Sequence, residues 1–123
     1  MGWKFKTGIP IYQQIMELVE ERILGGTYPA GGELPTVRDL AMELAVNPNT
    51  VQRAFSELDK EGVTESKRTA GRVVTADSDR LDALRRQKAK AALKDVYEGL
   101  RRLGIDKLEV ESILQEVEHD SIL

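Results

Sequence analysis

Between residues 47 and 56 the chain reads NPNTVQRAFS, which crowds the hydrogen-bonding side chains Asn47, Asn49, Thr50, Gln52 and Arg53 into the opening turns of an expected helix. Amide and guanidinium groups pair with the exposed edges of bases, and the unpaired amide protons of a helix start suit phosphate. Three further cations, Lys67, Arg68 and Arg72, surround the glycine-bearing turn Arg68-Thr69-Ala70-Gly71 and are able to lie along a phosphate backbone. Taken alone they also suit an ordinary solvated hairpin. Catalysis finds little support. The chain has a single histidine, His119, and no cysteine, so neither a nucleophile–base pair nor a histidine-rich metal centre can be assembled. No phosphate-cradling glycine motif is present. No catalytic residue, metal or cofactor is expected, and Glu17, Glu20 and Glu21 read as a solvated helix face.

The elements that must position these groups are legible from period and caps. Thr36 is an N-cap for a helix carrying Val37, Leu40, Ala41 and Leu44 on one face. Asn47 caps the next, with Pro48 at the first helical position and Val51, Ala54, Phe55 and Leu58 facing a core. Only Ala45-Val46 joins them, as a helix-turn-helix requires. An earlier helix, from about Pro10 to Leu24, places Tyr12, Ile15, Val19 and Ile23 on one stripe and ends at Gly25-Gly26. After Glu61-Gly62, the runs Val63 to Lys67 and Arg72 to Thr75 read as a hairpin, or wing. Trp3 and Phe5 are expected to pack on the core or on a partner subunit.

Beyond the wing, a long helical pattern from about Arg80 to Leu103 stops at Gly104. A second opens at Asp106 with Glu109 as its capping box and runs to about His119. Leu81, Leu84, Ala91, Leu100 and Leu103 on one helix and Leu108, Ile113, Leu114 and Val117 on the other exceed what one helical hairpin can bury. A homodimer is the expectation that follows. The basic run Arg80, Arg85, Arg86, Lys88, Lys90 and Lys94 reads first as a soluble face, with flanking DNA contact as its alternative.

The chain of 123 residues, 41% apolar and 32% charged, has an ordinary globular balance. Without cysteine, a long apolar run or an export signal in MGWKFKTG, no membrane association is expected and the cytoplasm is the expected compartment. Net charge is −3. Residues 1–76 hold nine Lys and Arg against ten Asp and Glu, so a positive face can come only from segregation of charge. That acidity also keeps a second class in view, a winged-helix module that binds protein and not DNA.

In order along the chain stand PIYQQI (10–15), GGTYPAGGELPTVRDLA (25–41), NPNTVQRAF (47–55) and ELDKEG before the wing. With these words residues 9–75 resemble the winged-helix domain of the GntR family of bacterial transcription regulators. The Asn-Pro-Asn-Thr-Val opening and short tail look most like its YtrA-like subfamily. The resemblance implies a mainly α fold, with a winged helix-turn-helix over 1–76 and a two-helix hairpin over 77–123 for dimerisation or effector response. It implies a repressor that binds a palindromic double-stranded operator as a homodimer and is open to release by an unidentified small-molecule effector, although so short a tail leaves little room for an enclosed pocket. Any cavity for one is expected between subunits or between hairpin and winged domain. By the same resemblance Arg38 reaches into the operator, and Asn47, Asn49 and Thr50 fall at capping and phosphate-contact positions. Gln52 stands where many relatives place a base-reading Arg, and glutamine prefers adenine. Arg53 has two roles open, guanine or phosphate. Gly71 matches the wing-tip glycine that enters the minor groove, and Thr69 stands where relatives often have a second. Thr36, Lys67, Arg68 and Arg72 complete the DNA-facing set.

Overall fold

The computed structural model describes residues 3–69 and 71–121, so Ala70 of the expected wing tip and the opening Met1-Gly2 lie outside the described residues. Five helices and a two-stranded antiparallel sheet follow in the order α1 (Ile11–Leu24), α2 (Val37–Leu44), α3 (Pro48–Lys60), β1 (Thr64–Lys67), β2 (Gly71–Val74), α4 (Ser78–Arg102) and α5 (Lys107–Asp120). Among the described residues no helix is long and apolar enough to cross a membrane.

The caps fall where side-chain chemistry asks for them. The Thr36 hydroxyl accepts from the Asp39 amide at 3.0 Å, and the Asn47 carboxamide accepts from the Asn49 amide at 2.8 Å. Between α2 and α3 the turn is made by Ala45 in the left-handed region, φ 56° and ψ 49°, while the Val46 amide returns to the Ala41 carbonyl at 3.0 Å. Helix α3 ends in a Schellman pair: Gly62 N–H to Asp59 at 3.0 Å and Val63 N–H to Leu58 at 3.0 Å. Gly62 carries the required positive φ of 76°.

The core is the convergence of the expected stripes. Ile15, Val19, Leu40, Val51, Phe55 and Leu58 are fully buried, joined by Val63 and Val74 from the wing root and by Leu81 and Leu84 from α4. Tyr12 and Val37 pack at its edge, as does Phe5, whereas Trp3 remains half exposed. One carboxylate departs from expectation. Glu20 is buried, not part of a solvated face like Glu17 and Glu21, because it flanks the apolar stripe one turn after Met16, itself packed on the core.

In the wing, Lys67 pairs with Gly71 and Thr64 with Val74. The second strand therefore starts one residue earlier than Arg72, using Gly71 at φ 71°, a conformation that side chains disfavour. The loop before α2 adds a third ribbon: Glu33 bridges Val73, Gly31 N–H reaches Val74 at 3.0 Å and Leu34 N–H reaches Arg72 at 2.9 Å.

Two compact units divide the chain, one through Arg85 and the other from Arg86 on. The first runs past the domain boundary expected at residue 76 because Leu81 and Leu84 belong to its core. In the second unit α4 ends at another Schellman pair, Gly104 N–H to Arg101 at 2.9 Å and Ile105 N–H to Leu100 at 3.1 Å. The expected capping box at Asp106 and Glu109 is formed, yet α5 has no buried residue. Leu103 and Leu108 are 75% and 88% exposed. The apolar stripes of this unit are Leu93, Val96, Tyr97 and Leu100 on α4 and Val110, Ile113, Leu114 and Val117 on α5, each at helical spacing.

Candidate nucleic-acid interface

Helix α3 turns Val51, Ala54, Phe55 and Leu58 fully inward, so at 100° per residue Asn49, Gln52, Arg53 and Ser56 occupy its outer side. Asn49, Gln52 and Arg53 are exposed and Thr50 is half-buried. No carboxylate occurs between residues 47 and 56. Glu57, the first to follow, pairs with Lys60 at 3.3 Å. The reading side of the helix is thus a surface of amides, hydroxyls and one cation.

The remaining residues expected to face DNA divide by what already holds them. The side-chain oxygens of Thr36 and Asn47 are engaged as caps, which fixes the starts of α2 and α3. Arg38 and Arg68 are exposed and have no ion-pair partner among the described residues. Lys67 lies 3.4 Å from Glu65 with both side chains half exposed, a pair that solvent weakens. Gly71 has nothing within 4 Å of where a Cβ would stand, chain neighbours aside, so its requirement is conformational.

Arg72 corrects the sequence expectation. Its guanidinium turns inward, 2.9 Å from Asp59 and 4.9 Å above the Phe55 ring, with only 15% of the side chain exposed. Asp59 also accepts from the Thr64 hydroxyl and, at 3.3 Å, from that of Ser66. Burial alone would raise the Asp59 pKa, but the hydrogen bonds from Arg72 and Thr64 outweigh it and hold the carboxyl below its ordinary range. Arg72 therefore anchors the wing to α3, and its charge is matched inside the fold.

Two contacts on α3 have no sequence signal. Gln52 donates to the Ser56 hydroxyl at 3.3 Å, one turn along the helix. The Arg53 guanidinium carbon lies over Tyr12 of α1, 3.8 Å from the ring centroid, with no carboxylate paired to it among the described residues. A separate bracket ties α1 to α2, where Arg22 donates to Glu43 and, at 2.7 Å, to the Tyr28 hydroxyl. The hydrogen bond to Glu43 raises the Arg22 pKa, and its counterpart lowers that of Glu43.

Among the described residues no cluster of His, Asp or Glu could hold a metal ion. An open cavity of about 610 Å³ lies in the elbow of the second unit, lined by Tyr97, Leu100, Arg101, Ile105, Lys107 and Val110 among others. It lies within that unit.

A short-turn helix pair with a polar, carboxylate-free reading side and a basic hairpin defines a winged helix-turn-helix transcription regulator. The match to known proteins makes the assignment specific: the family described as "Bacterial regulatory proteins, gntR family" matches residues 11–74, and the chain belongs to it. Over 89% of this chain and 91% of the relative it is 31% identical to YhcF of Bacillus subtilis, an uncharacterized HTH-type transcriptional regulator. It is 38% identical over 59% of its length to the Bacillus subtilis HTH-type transcriptional repressor YtrA, spanning 56% of that protein. Among solved structures, a GntR family transcriptional regulator from Listeria monocytogenes has a TM-score of 0.83 at 35% identity, covering 92% of this chain and 99% of its own. The AraR DNA-binding domain in complex with operator ORR3 has a TM-score of 0.53 at 25% identity, covering 61% of this chain and 88% of its own.

Proposed function

We propose that the protein is a cytoplasmic homodimeric repressor that sets the amino-terminal half of α3 into successive major grooves of a palindromic operator. In this reading Asn49, Thr50 and Gln52 face the groove, Arg38 reaches it from α2, and Lys67, Arg68 and Gly71 carry the wing along the backbone. Thr36 and Asn47 hold the helix starts. The observation that carries it is the outer side of α3, polar, exposed and free of carboxylates in a chain whose net charge is −3. The repressor role is supported by the relative YtrA, and the use of an operator by the AraR domain. The elbow cavity is the place we assign to an effector, since a ligand there would act on the apolar surface we assign to dimer formation.

A mobility-shift assay on the chain's own promoter fragment tests the reading. Wild type shifts the fragment at low salt, and Arg38→Ala or Gln52→Ala each weakens the complex by about 1–3 kcal/mol if the deleted group touches a base. Absence of any shift at low salt leaves the protein-binding module as the better account.

A further inference from the structure

Arg53 stands beside Gln52 on the reading side of α3, yet its guanidinium is not free to follow the groove. It is stacked on Tyr12, which belongs to the first turn of α1. We infer that Tyr12 is a positioning residue of the DNA-binding surface: by holding Arg53 to the flank of α3 it commits that charge to a backbone phosphate and leaves base reading to Gln52. The inference rests on the DNA-binding function proposed above.

The geometry supports each part. At 3.8 Å from the ring centroid the guanidinium is within close cation–π range, and a guanidinium that stacks on a ring keeps its in-plane N–H donors at its edge. No ion pair with another described residue claims the Arg53 guanidinium. A planar fork with its edge open is suited to two oxygens of one phosphate. Tyr12 is itself fixed, half-buried against the core and followed on the same face by Ile15 and Val19. Since α1 packs beside α3, a group held over α1 sits at the side of the inserted helix, where the sugar-phosphate backbone passes. Gln52 is exposed and donates to Ser56 of its own helix, so it can turn to a base edge.

The full-length protein, with duplexes it selects from a random-sequence library and a mixed-sequence duplex, provides the test. Arg53→Gln should weaken binding by a similar factor on selected, base-substituted and mixed-sequence duplexes, and should lower the logarithmic salt slope by about 0.9 for each phosphate that is no longer neutralised. Tyr12→Leu should weaken binding about threefold to fivefold, the worth of an exposed cation–π interaction. Tyr12→Phe keeps the ring and should bind like wild type. Removing Tyr12 from an Arg53→Gln background should cost nothing further, a non-additivity that a merely structural defect would not show. Thermal unfolding of each variant separates impaired folding from impaired binding. The inference is overturned if Tyr12→Leu, folded, binds like wild type, if the double variant is additive, or if Arg53→Gln changes which base is preferred. A wild type that selects no duplex overturns the DNA-binding reading itself, a result distinct from these three.

Discussion

Asp59 shows how one carboxylate decides what a nearby cation is for. Without it Arg72 would be another unpaired cation on the wing beside Arg68; with it, Arg72 joins β2 to α3 and the Phe55 ring. An unfolded aspartate titrates near ~3.9, and the folded Asp59 is held lower. Its contribution to stability is therefore complete above the unfolded value and is lost as pH falls through the folded one. Asp59→Asn should cost about 1–2 kcal/mol near neutral pH, because the buried guanidinium loses its charged partner. Urea unfolding at about pH 7 and again at about pH 3 checks this, since the wild type should approach the variant in acid. An undiminished gap between them at the lower pH removes the assignment. Gln52 carries a separate prediction: Gln52→Arg should move the preferred base at its position from adenine towards guanine by about 1–3 kcal/mol, measured on paired duplexes differing at that base pair. An unchanged preference would mean that Gln52 reads no base.

Ala45 is the only non-glycine residue with positive φ among the described residues, and it forms the turn on which the crossing of α2 and α3 depends. A left-handed conformation costs an L-residue about 1–2 kcal/mol, part of which glycine repays to the unfolded chain as entropy. Ala45→Gly should then stabilise the winged unit by about 0.5–1 kcal/mol, read as a higher urea midpoint with an unchanged slope; a lower midpoint would refute it. The elements around this turn were legible because each advertises itself locally: Thr36, Asn47 and Pro48 mark helix starts, Gly62 and Gly104 mark ends, and the apolar period marks the buried faces. The wing and the polar side of α3 were legible in the same way, and the family words added the expected roles of Arg38 and Gly71. What stayed hidden was contact between distant segments. Nothing near Arg72 announces Asp59, and nothing near Arg53 announces Tyr12. The bridge from Glu33 to Val73 is expected only through the family resemblance, which pairs a short strand of this loop with the wing. Glu20 failed for a related reason, since a charge on a helix flank looks solvated until the chain that covers it is known.

The winged unit has a closed core, but the second unit does not. A helix of 14 residues without a buried side chain is marginal in water, so α5 requires a surface to lie against. Its stripe of Val110, Ile113, Leu114 and Val117, and that of Leu93, Val96, Tyr97 and Leu100 on α4, leave Leu93 57%, Val96 55%, Leu114 48% and Val117 45% exposed. Full burial of one such side chain contributes roughly 1.5–3 kcal/mol, so two copies sharing these stripes across a two-fold axis gain enough to offset association even after a large discount. A homodimer would also present two reading helices for half-sites about one turn, or ~34 Å, apart. The same molecule carries net charge −3, so two such copies would repel at long range and contact between them would have to come from apolar burial. Sedimentation equilibrium at micromolar concentration should therefore give a dimer that persists in high salt, while operator binding weakens steeply with salt. Leu114→Glu should yield a monomer whose winged unit stays folded, because among the described residues none beyond Leu84 belongs to its core. That monomer should lose most of its affinity for a palindrome and keep its weak affinity for a single half-site. If the wild type sediments as a monomer, or Leu114→Glu stays dimeric and binds the palindrome unimpaired, then these stripes are covered by something other than a second copy.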